Sequence, residues 1–176
     1  MGDLIAVLDA NVLYPPVLRD MLVAAAIAGL FQARWSEEIL NETERNIAKH
    51  IGPEKAQERV QTLRELLPEA MVTGYTRHLA GLENDQKDRH VVAAAIESNA
   101  TVIVTGNLAD FRPIPQQVRA MLPDTFFCSF LDRMPVLLHC LETVRNNWPT
   151  PPPHERLLSQ LEVIAPQFAK ELRATI

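Results

Sequence analysis

Four acidic side chains, Asp9, Glu42, Asp88 and Asp110, each lie at the edge of an apolar segment rather than within a polar run. Carboxylate oxygens are the ligands that hard divalent cations such as Mg²⁺ and Mn²⁺ prefer. Carboxylates gathered at one place repel one another unless a cation lies between them. The sequence therefore predicts a cation site, provided that the fold brings these side chains together.

Asp9 closes the apolar run of residues 4–8, which has the length of a strand and no polar alternation. Such a run is typical of a buried parallel strand. Because ligands of open α/β sheets bind at the carboxyl ends of the strands, Asp9 and the nearby Asn11 are placed for chemistry. The alternative is that Asp9 only caps the helix that Pro15 and Pro16 introduce.

A second strand-like run covers residues 101–104 and is followed by Thr105, Gly106, Asn107 and, three residues later, Asp110. We expect this strand to neighbour the first one in a single sheet. The Thr105 hydroxyl and the Asn107 amide can hold a water or a phosphate oxygen, and Asp110 adds an anionic oxygen. An ordinary loop is the alternative for this segment.

Asp88 leads into a predicted helix that continues through residues 91–96. The first turn of this predicted helix is acidic. Acidic first turns stabilise helices without any further function. Asp88 nevertheless shares a helical face with Val92 and Ala95, on the side that should pack against the sheet. We therefore expect a functional role for Asp88 and a capping role for Asp85.

Glu42 lies on a helix that Ser36 is expected to cap and that continues to about His50. At about 3.6 residues per turn, Glu42 and Glu44 fall on opposite margins of the apolar stripe of this helix. Periodicity alone does not choose between the two glutamates.

Four segments in this order resemble the PIN domain, a family of metal-dependent ribonucleases, and within it the toxins of VapC type. The segments are residues 8–13, 36–42, 85–95 and 102–107. Each one is weakly specific, but their combination and spacing are specific over roughly residues 4 to 114.

The resemblance implies that Asp9, Glu42 and Asp88 are the core catalytic acids and hold Mg²⁺ or Mn²⁺. A metal ion in such a site can activate water and stabilise charge during phosphodiester hydrolysis, so no nucleophilic side chain is needed.

The resemblance also places Thr105 and Asn107 at the fourth motif, where many members carry an aspartate instead of Asn107. Asp110 is the residue that can complete the set of catalytic acids. Asn11, Thr105 and Asn107 are candidates for contact with the substrate.

The resemblance implies a metal-dependent endoribonuclease that is the toxin of a type II toxin and antitoxin pair. Its expected substrate is RNA and its expected partner is an antitoxin protein. A homodimer is a further expectation. The rival interpretation is a catalytically inactive PIN-fold binding module, which Asn107 favours. A phosphatase with an aspartyl nucleophile is weaker, because Asn11 stands where such enzymes carry a second aspartate. Cleavage of DNA instead of RNA is also open.

His90 is the histidine adjacent to the acidic positions, and the five histidines do not show the paired spacing of a zinc-binding helix. We expect a partly buried helix residue, which is the commoner outcome, with a direct role as the alternative.

The composition is consistent with one ordinary domain and a small appendage, since the chain has 176 residues of which 47% are hydrophobic. The net charge of −5 argues against broad, sequence-independent binding of long nucleic acids. Cys128 and Cys140 lack metal-ligand spacing and are predicted to be free thiols in a reducing cytoplasm. No apolar run approaches membrane-spanning length, so we expect a cytoplasmic protein without membrane contact.

The order of the elements predicts an α/β fold, a three-layer α/β/α sandwich with a central parallel β-sheet. The predicted strands are residues 4–8, 31–35, 71–73 and 101–104, with a fifth near 118–121. A PIN-like nuclease domain is expected over residues 1–122 and a C-terminal helical extension over 123–176. The extension should form helices over about 124–146 and 154–174, with a break at Pro166. It either caps its own core or contacts an antitoxin or a second copy.

Overall fold

Within residues 4–176, the part of the chain that the computed structural model describes, five parallel strands form one sheet in the order β3-β2-β1-β4-β5. The strands are β1 (Ile5–Leu8), β2 (Gln32–Ser36), β3 (Met71–Val72), β4 (Val102–Val104) and β5 (Arg119–Met121). All five strands predicted from the sequence are confirmed.

The helices of the described chain lie between and after the strands. They are α1 (Ala10–Leu13), α2 (Pro16–Ile27), α3 (Glu37–Ile51), α4 (Pro53–Leu66), α5 (Arg89–Glu97), α6 (Pro123–Cys128), α7 (Met134–Asn146), α8 (His154–Glu162) and α9 (Pro166–Thr175). The chain runs outward from β1 to β3 and then returns across the sheet to β4. Because parallel crossovers are right-handed, this reversal puts α5 on the face opposite α1 to α4, which confirms the three-layer fold.

The strand order reverses between β1 and β4, and this switch point determines where a ligand would bind. Leu8 pairs with Val104 in the register of the two strands. The backbone N–H of Asp9 continues the ladder by donating to the Val104 carbonyl at 3.1 Å. The first polar residues after both strands are therefore adjacent, as the sequence predicted.

Helix α3 begins and ends where its sequence provides caps. The Ser36 hydroxyl accepts a hydrogen bond from the Ile39 N–H at 3.2 Å, which confirms its predicted capping role. Gly52, with φ of 85°, ends the helix in a conformation that favours glycine. Between these caps, buried Ile39, Leu40 and Ile47 hold the helix against the core.

The C-terminal helices pack against the sheet domain and share its hydrophobic core. Phe126 of α6 meets Phe31 edge to face, with ring centroids 4.9 Å apart. Phe168 of α9 stacks on Phe127 at 4.4 Å, and Leu157 of α8 is fully buried. The extension therefore caps its own core, whereas the division at residues 122 and 123 stays a prediction.

The prediction of one helix over residues 124–146 is wrong. Helix α6 ends at Cys128, a short 3-10 turn covers Leu131–Arg133, and α7 starts at Met134. Pro135 explains the break, because it has no N–H to continue a helix but is well suited to a first turn. The predicted break at Pro166 is confirmed, since α8 ends at Glu162 and α9 begins at Pro166 itself.

None of the helices between Leu4 and Ile176 combines the length and the apolar character needed to cross a lipid bilayer. Both cysteines are free thiols, as predicted, with Cys140 buried and Cys128 partly buried. Burial raises the pKa of each thiol, so neither is a reactive thiolate at neutral pH.

Candidate active site

Asp9 is held at the switch point by hydrogen bonds to both of its carboxylate oxygens. Its Oδ1 accepts from the Ala10 N–H at 2.7 Å, so Asp9 does cap the short helix α1. Its Oδ2 accepts from the Asn11 amide and from the Thr105 hydroxyl, each at 2.8 Å. The helix that Pro15 and Pro16 introduce is α2, whose N-cap is Pro15, so the capping interpretation named the wrong helix. A cap on α1 and a functional role are compatible, because Oδ1 makes the cap while Oδ2 faces the neighbouring strand end.

Asn11 links the ends of β1 and β4. Its Nδ2 also donates to Thr105 Oγ1 at 3.0 Å, and its Oδ1 accepts from the Gly106 N–H at 2.8 Å. These contacts use the Asn11 side chain to fix the orientation of the Asp9 carboxylate. Asn11 and Thr105 are therefore positioned to orient an acid. Their contact with a substrate stays a prediction.

Asp9 carries an unusual ionisation equilibrium because it is 6% exposed. Burial raises its pKa to about 6, the Thr105 and Ala10 hydrogen bonds oppose this rise, and the charges of Glu42 and Asp88 add to it. Because the charges of Glu42 and Asp88 both act on Asp9, the three acids expected from the sequence lie within electrostatic range of one another. Their catalytic role stays a prediction.

Asp88 occupies the N-cap position of α5 but makes no capping hydrogen bond with its side chain. The helix begins at Arg89, later than the sequence suggested, and Asp85 caps the preceding turn by accepting from the Lys87 N–H at 3.2 Å. The Asp88 side chain is only 16% exposed. In the described part of the chain, its buried Oδ2 has no hydrogen-bond partner.

Burial raises the pKa of Asp88 to about 6, and the charges of Asp110 and Glu42 contribute to that rise while Lys87 opposes it. A buried carboxylate oxygen without a donor is a costly feature in a folded protein. A cation bound beside it would remove that cost.

Glu42 projects from α3 with 41% of its side chain exposed. Its charge raises the pKa of both Asp9 and Asp88, which places this glutamate with the two aspartates. The structure therefore favours Glu42 over Glu44 as the third acid, a choice that helical periodicity could not make.

Asp110 lies at the margin of the group. Its Oδ2 accepts from the Asn107 amide at 2.6 Å and stands 3.5 Å from the ammonium of Lys87, which is also 4.0 Å from Asp88. Asn107 Oδ1 accepts from the Ala109 N–H and so caps the 3-10 turn that carries Asp110. Asn107 thus positions an acid instead of supplying one.

His90 is more deeply buried than the sequence predicted, with 5% of the residue exposed. It is the second residue of α5 and approaches Glu38 and Glu42 of α3. Burial lowers the pKa of its imidazole, so the ring is neutral near physiological pH.

The residues present fit a divalent cation in their chemistry. Asp9 and Asp88 have raised pKa values, and the Asp88 oxygen without a donor is the position where a cation would be most favourable. Across residues 4–176, no three carboxylate, imidazole or thiolate side chains already stand in the mutual arrangement of a metal shell. The half-exposed Glu42 has the conformational freedom to complete such a shell.

The large cavity of the described chain lies away from the acids, between α2, α3, α4 and the connector that precedes α8. It has a volume of about 850 Å³. Its lining residues are Tyr14, Pro15, Pro16, Arg19, Asp20, Ile47, His50, Ile51, Arg59, Thr62, Leu66, Asn147, Trp148 and Pro149. Sequence periodicity does not predict this cleft, because its walls come from four separate segments.

The fold and site together define an α/β protein with an acidic cluster at the switch point of a five-stranded parallel sheet. Residues 6–109, more than half of the chain, match the family described as PIN domain. The chain belongs to the PIN-domain family.

The chain is also similar to a named protein and to a solved structure. A Mycobacterium tuberculosis protein named as a candidate ribonuclease, VapC50, is 37% identical over 115 residues, which cover 61% of this chain and 66% of that protein. The match thus spans slightly less than two thirds of that relative. A solved structure of VapBC2 from Rickettsia felis, bound to a DNA fragment from their promoter, has a TM-score of 0.50 and 18% identity, covering 67% of this chain and 98% of that one. The second similarity concerns the fold alone.

Proposed function

We propose that this protein is a metal-dependent endoribonuclease that hydrolyses RNA phosphodiester bonds. The observation that carries the proposal is the electrostatic cluster of Asp9, Glu42 and Asp88 at the switch point, with a buried Asp88 oxygen that has no donor. The name of the Mycobacterium tuberculosis relative supports ribonuclease activity as the use of this cluster.

Asp9, Glu42 and Asp88 are the residues that would hold Mg²⁺ or Mn²⁺. When bound, such an ion supplies Lewis acidity, which lowers the pKa of a coordinated water and neutralises charge on phosphate oxygens. Asn11 and Thr105 keep Asp9 Oδ2 oriented toward the site. The exposed ammonium of Lys87, held beside Asp88 and Asp110, is placed to attract a phosphate.

We further propose that the protein is the toxin of a toxin and antitoxin pair, with an antitoxin protein as its partner. Two observations support this: the resemblance to VapC-type sequences and the fold shared with a VapBC complex. A homodimer is part of the same proposal.

The rival function is a PIN-fold binding module without catalysis, and the substitution of Asn107 for an acid is the observation that favours it. In the structure, Asn107 holds Asp110 in the same loop through a 2.6 Å hydrogen bond. A carboxylate is therefore retained close to the position where the family pattern has one, which weakens the case for an inactive site.

Glu42→Gln is expected to lower metal-dependent RNA cleavage by roughly 10-fold to 100-fold, less than the loss of a buried ligand, because the Glu42 side chain is 41% exposed and a water can take its place on the ion. Glu44→Gln on the same helix is the matched control and should retain wild-type rates. Cleavage of a labelled RNA panel with Mg²⁺ or Mn²⁺ measures both variants. Equal losses in the two, or loss only in Glu44→Gln, would refute the assignment of Glu42.

Asp110→Asn is expected to give an intermediate loss, of roughly 10-fold, because Asp110 acts on Asp88 through its charge and lies at the edge of the cluster. The same RNA panel, with the Mg²⁺ concentration varied, separates weaker metal binding from slower cleavage. An unchanged rate at every Mg²⁺ concentration would make Asp110 a loop residue.

A further inference from the structure

His90 has a ring nitrogen that the fold has buried without satisfying it. Its side chain is 6% exposed, and in the described chain Nδ1 has no hydrogen-bond partner. Buried polar groups are almost always paired, so an unpaired one calls for a physical reason. The neighbouring Val91, Val92 and Ala93 of α5 are buried apolar residues and offer no side-chain partner, whereas the backbone of Lys87, just before α5, does interact with the ring.

The two nitrogens of His90 face two carboxylates that are one turn apart on α3. Nδ1 is 3.9 Å from Glu38 Oε2, and Nε2 is 3.8 Å from Glu42 Oε2. Both separations are too long for hydrogen bonds. Two donors that each lie about 2.1 Å from one ion stand at most about 4.2 Å apart, so the distance between Nε2 and Glu42 fits a shared ion.

Glu38 is suited to the outer position of such an arrangement. The Tyr75 hydroxyl donates a long hydrogen bond, 3.5 Å, to the same Glu38 oxygen that faces His90. Histidines that bind a metal through one nitrogen typically donate the other N–H to a carboxylate, which fixes the tautomer and the ring orientation. Glu38, His90 and Glu42 are arranged in this way, since the Glu38 carboxylate faces Nδ1 of the ring and Glu42, the expected metal ligand, faces Nε2.

We propose that His90 Nε2 is a ligand of the divalent cation beside Glu42, and that Glu38 accepts the Nδ1–H and orients the ring. This inference rests on the proposed function for the presence of the ion. It adds an imidazole nitrogen to a set of carboxylates, which favours Mn²⁺ and other first-row transition ions over Mg²⁺.

The test uses the full chain loaded with Mn²⁺ and electron spin-echo envelope modulation, which detects a ¹⁴N nucleus bonded to the ion. We expect nitrogen modulation in the wild type, its loss in His90→Gln, and its retention in the control His78→Gln, whose histidine pairs with Glu97 on another surface. Mn²⁺ bound without nitrogen modulation in the wild type, or modulation that survives in His90→Gln, would overturn the inference.

Because His90 is buried, a second variant covers the case in which His90→Gln does not fold. Glu38 is 54% exposed on its side chain, so Glu38→Gln should fold normally. We expect it to keep the nitrogen signal but to bind Mn²⁺ roughly 10-fold more weakly. Unchanged Mn²⁺ affinity would overturn the role of Glu38.

RNA cleavage measured on the same preparations separates this inference from the proposed function. Metal-dependent cleavage together with bound Mn²⁺ that shows no nitrogen coupling would leave the nuclease standing and remove His90 from its site. Nitrogen-coupled Mn²⁺ in a protein that cleaves no RNA would support the His90 ligand and refute the nuclease.

Discussion

Asp9→Asn is expected to lower metal-dependent RNA cleavage by roughly 100-fold or more, because loss of a direct ligand should exceed the 10-fold to 100-fold cost of losing an outer-shell partner. Asp9 is the acid that the fold holds most firmly, with both oxygens hydrogen-bonded at the end of β1. An asparagine keeps the shape of the side chain but not its charge. Initial rates on RNA at saturating Mg²⁺ or Mn²⁺ measure the effect.

A control has to show that Asp9→Asn lowers the rate of RNA cleavage without unfolding the protein. The amide can still cap α1 through its oxygen, although its Nδ2 cannot accept from Asn11, so we expect the metal-free melting temperature to change little. Asp132→Asn, an exposed acid of the extension, is the matched control and should keep full activity. A folded Asp9→Asn protein that cleaves RNA at the wild-type rate would contradict the site.

Asp88→Asn is expected to have opposite effects on stability and activity. It removes a buried charge whose Oδ2 has no donor, so the metal-free variant should be more stable than the wild type at neutral pH by about 1–2 kcal/mol. For a chain of this size that corresponds to a rise in melting temperature of a few degrees. Cleavage should fall as far as in Asp9→Asn, because the same cluster loses a ligand.

The pH dependence of stability gives an independent check on the raised pKa values. A carboxyl group whose folded-state pKa is raised from 3.8 to about 6 binds its proton more tightly in the folded state than in the unfolded state. Asp9 and Asp88 therefore make the metal-free protein lose stability as pH rises from about 4 to about 6, with no further loss above that window.

Urea unfolding in chelator across pH 4 to 7 measures this loss. The wild type should show the larger decrease and Asp88→Asn the smaller one, with Asp132→Asn matching the wild type. Identical pH profiles for the wild type and Asp88→Asn would show that Asp88 has an ordinary pKa.

The sheet and the first half of the site follow from local patterns. The apolar runs that precede Asp9 and Thr105 can each be recognised as strands. Because the carboxyl ends of parallel strands lie at the same edge of a sheet, the proximity of the two side chains, which are 2.8 Å apart in the structure, could be predicted from the sequence. The Ser36 cap and the break at Pro166 depend on single residue types with strong local preferences, and they were predictable for that reason.

The rest of the site depends on distances between segments that local patterns do not contain. The choice between Glu42 and Glu44 required the position of α3 relative to Asp9 and Asp88. The unpaired oxygen of Asp88 and the unpaired nitrogen of His90 arise only when the start of α5 lies beside the glutamates of α3. The helix predicted over residues 124–146 failed because the apolar periodicity continues across the turn before Pro135.

The most direct test of the account is RNA cleavage by the purified wild-type protein, with a matched DNA panel, in Mg²⁺, in Mn²⁺ and in chelator, followed by restoration of the metal. We expect cleavage of RNA that stops in chelator and returns when Mg²⁺ or Mn²⁺ is added back. Cleavage that continues unchanged in chelator, or no cleavage of RNA in either metal, would contradict it.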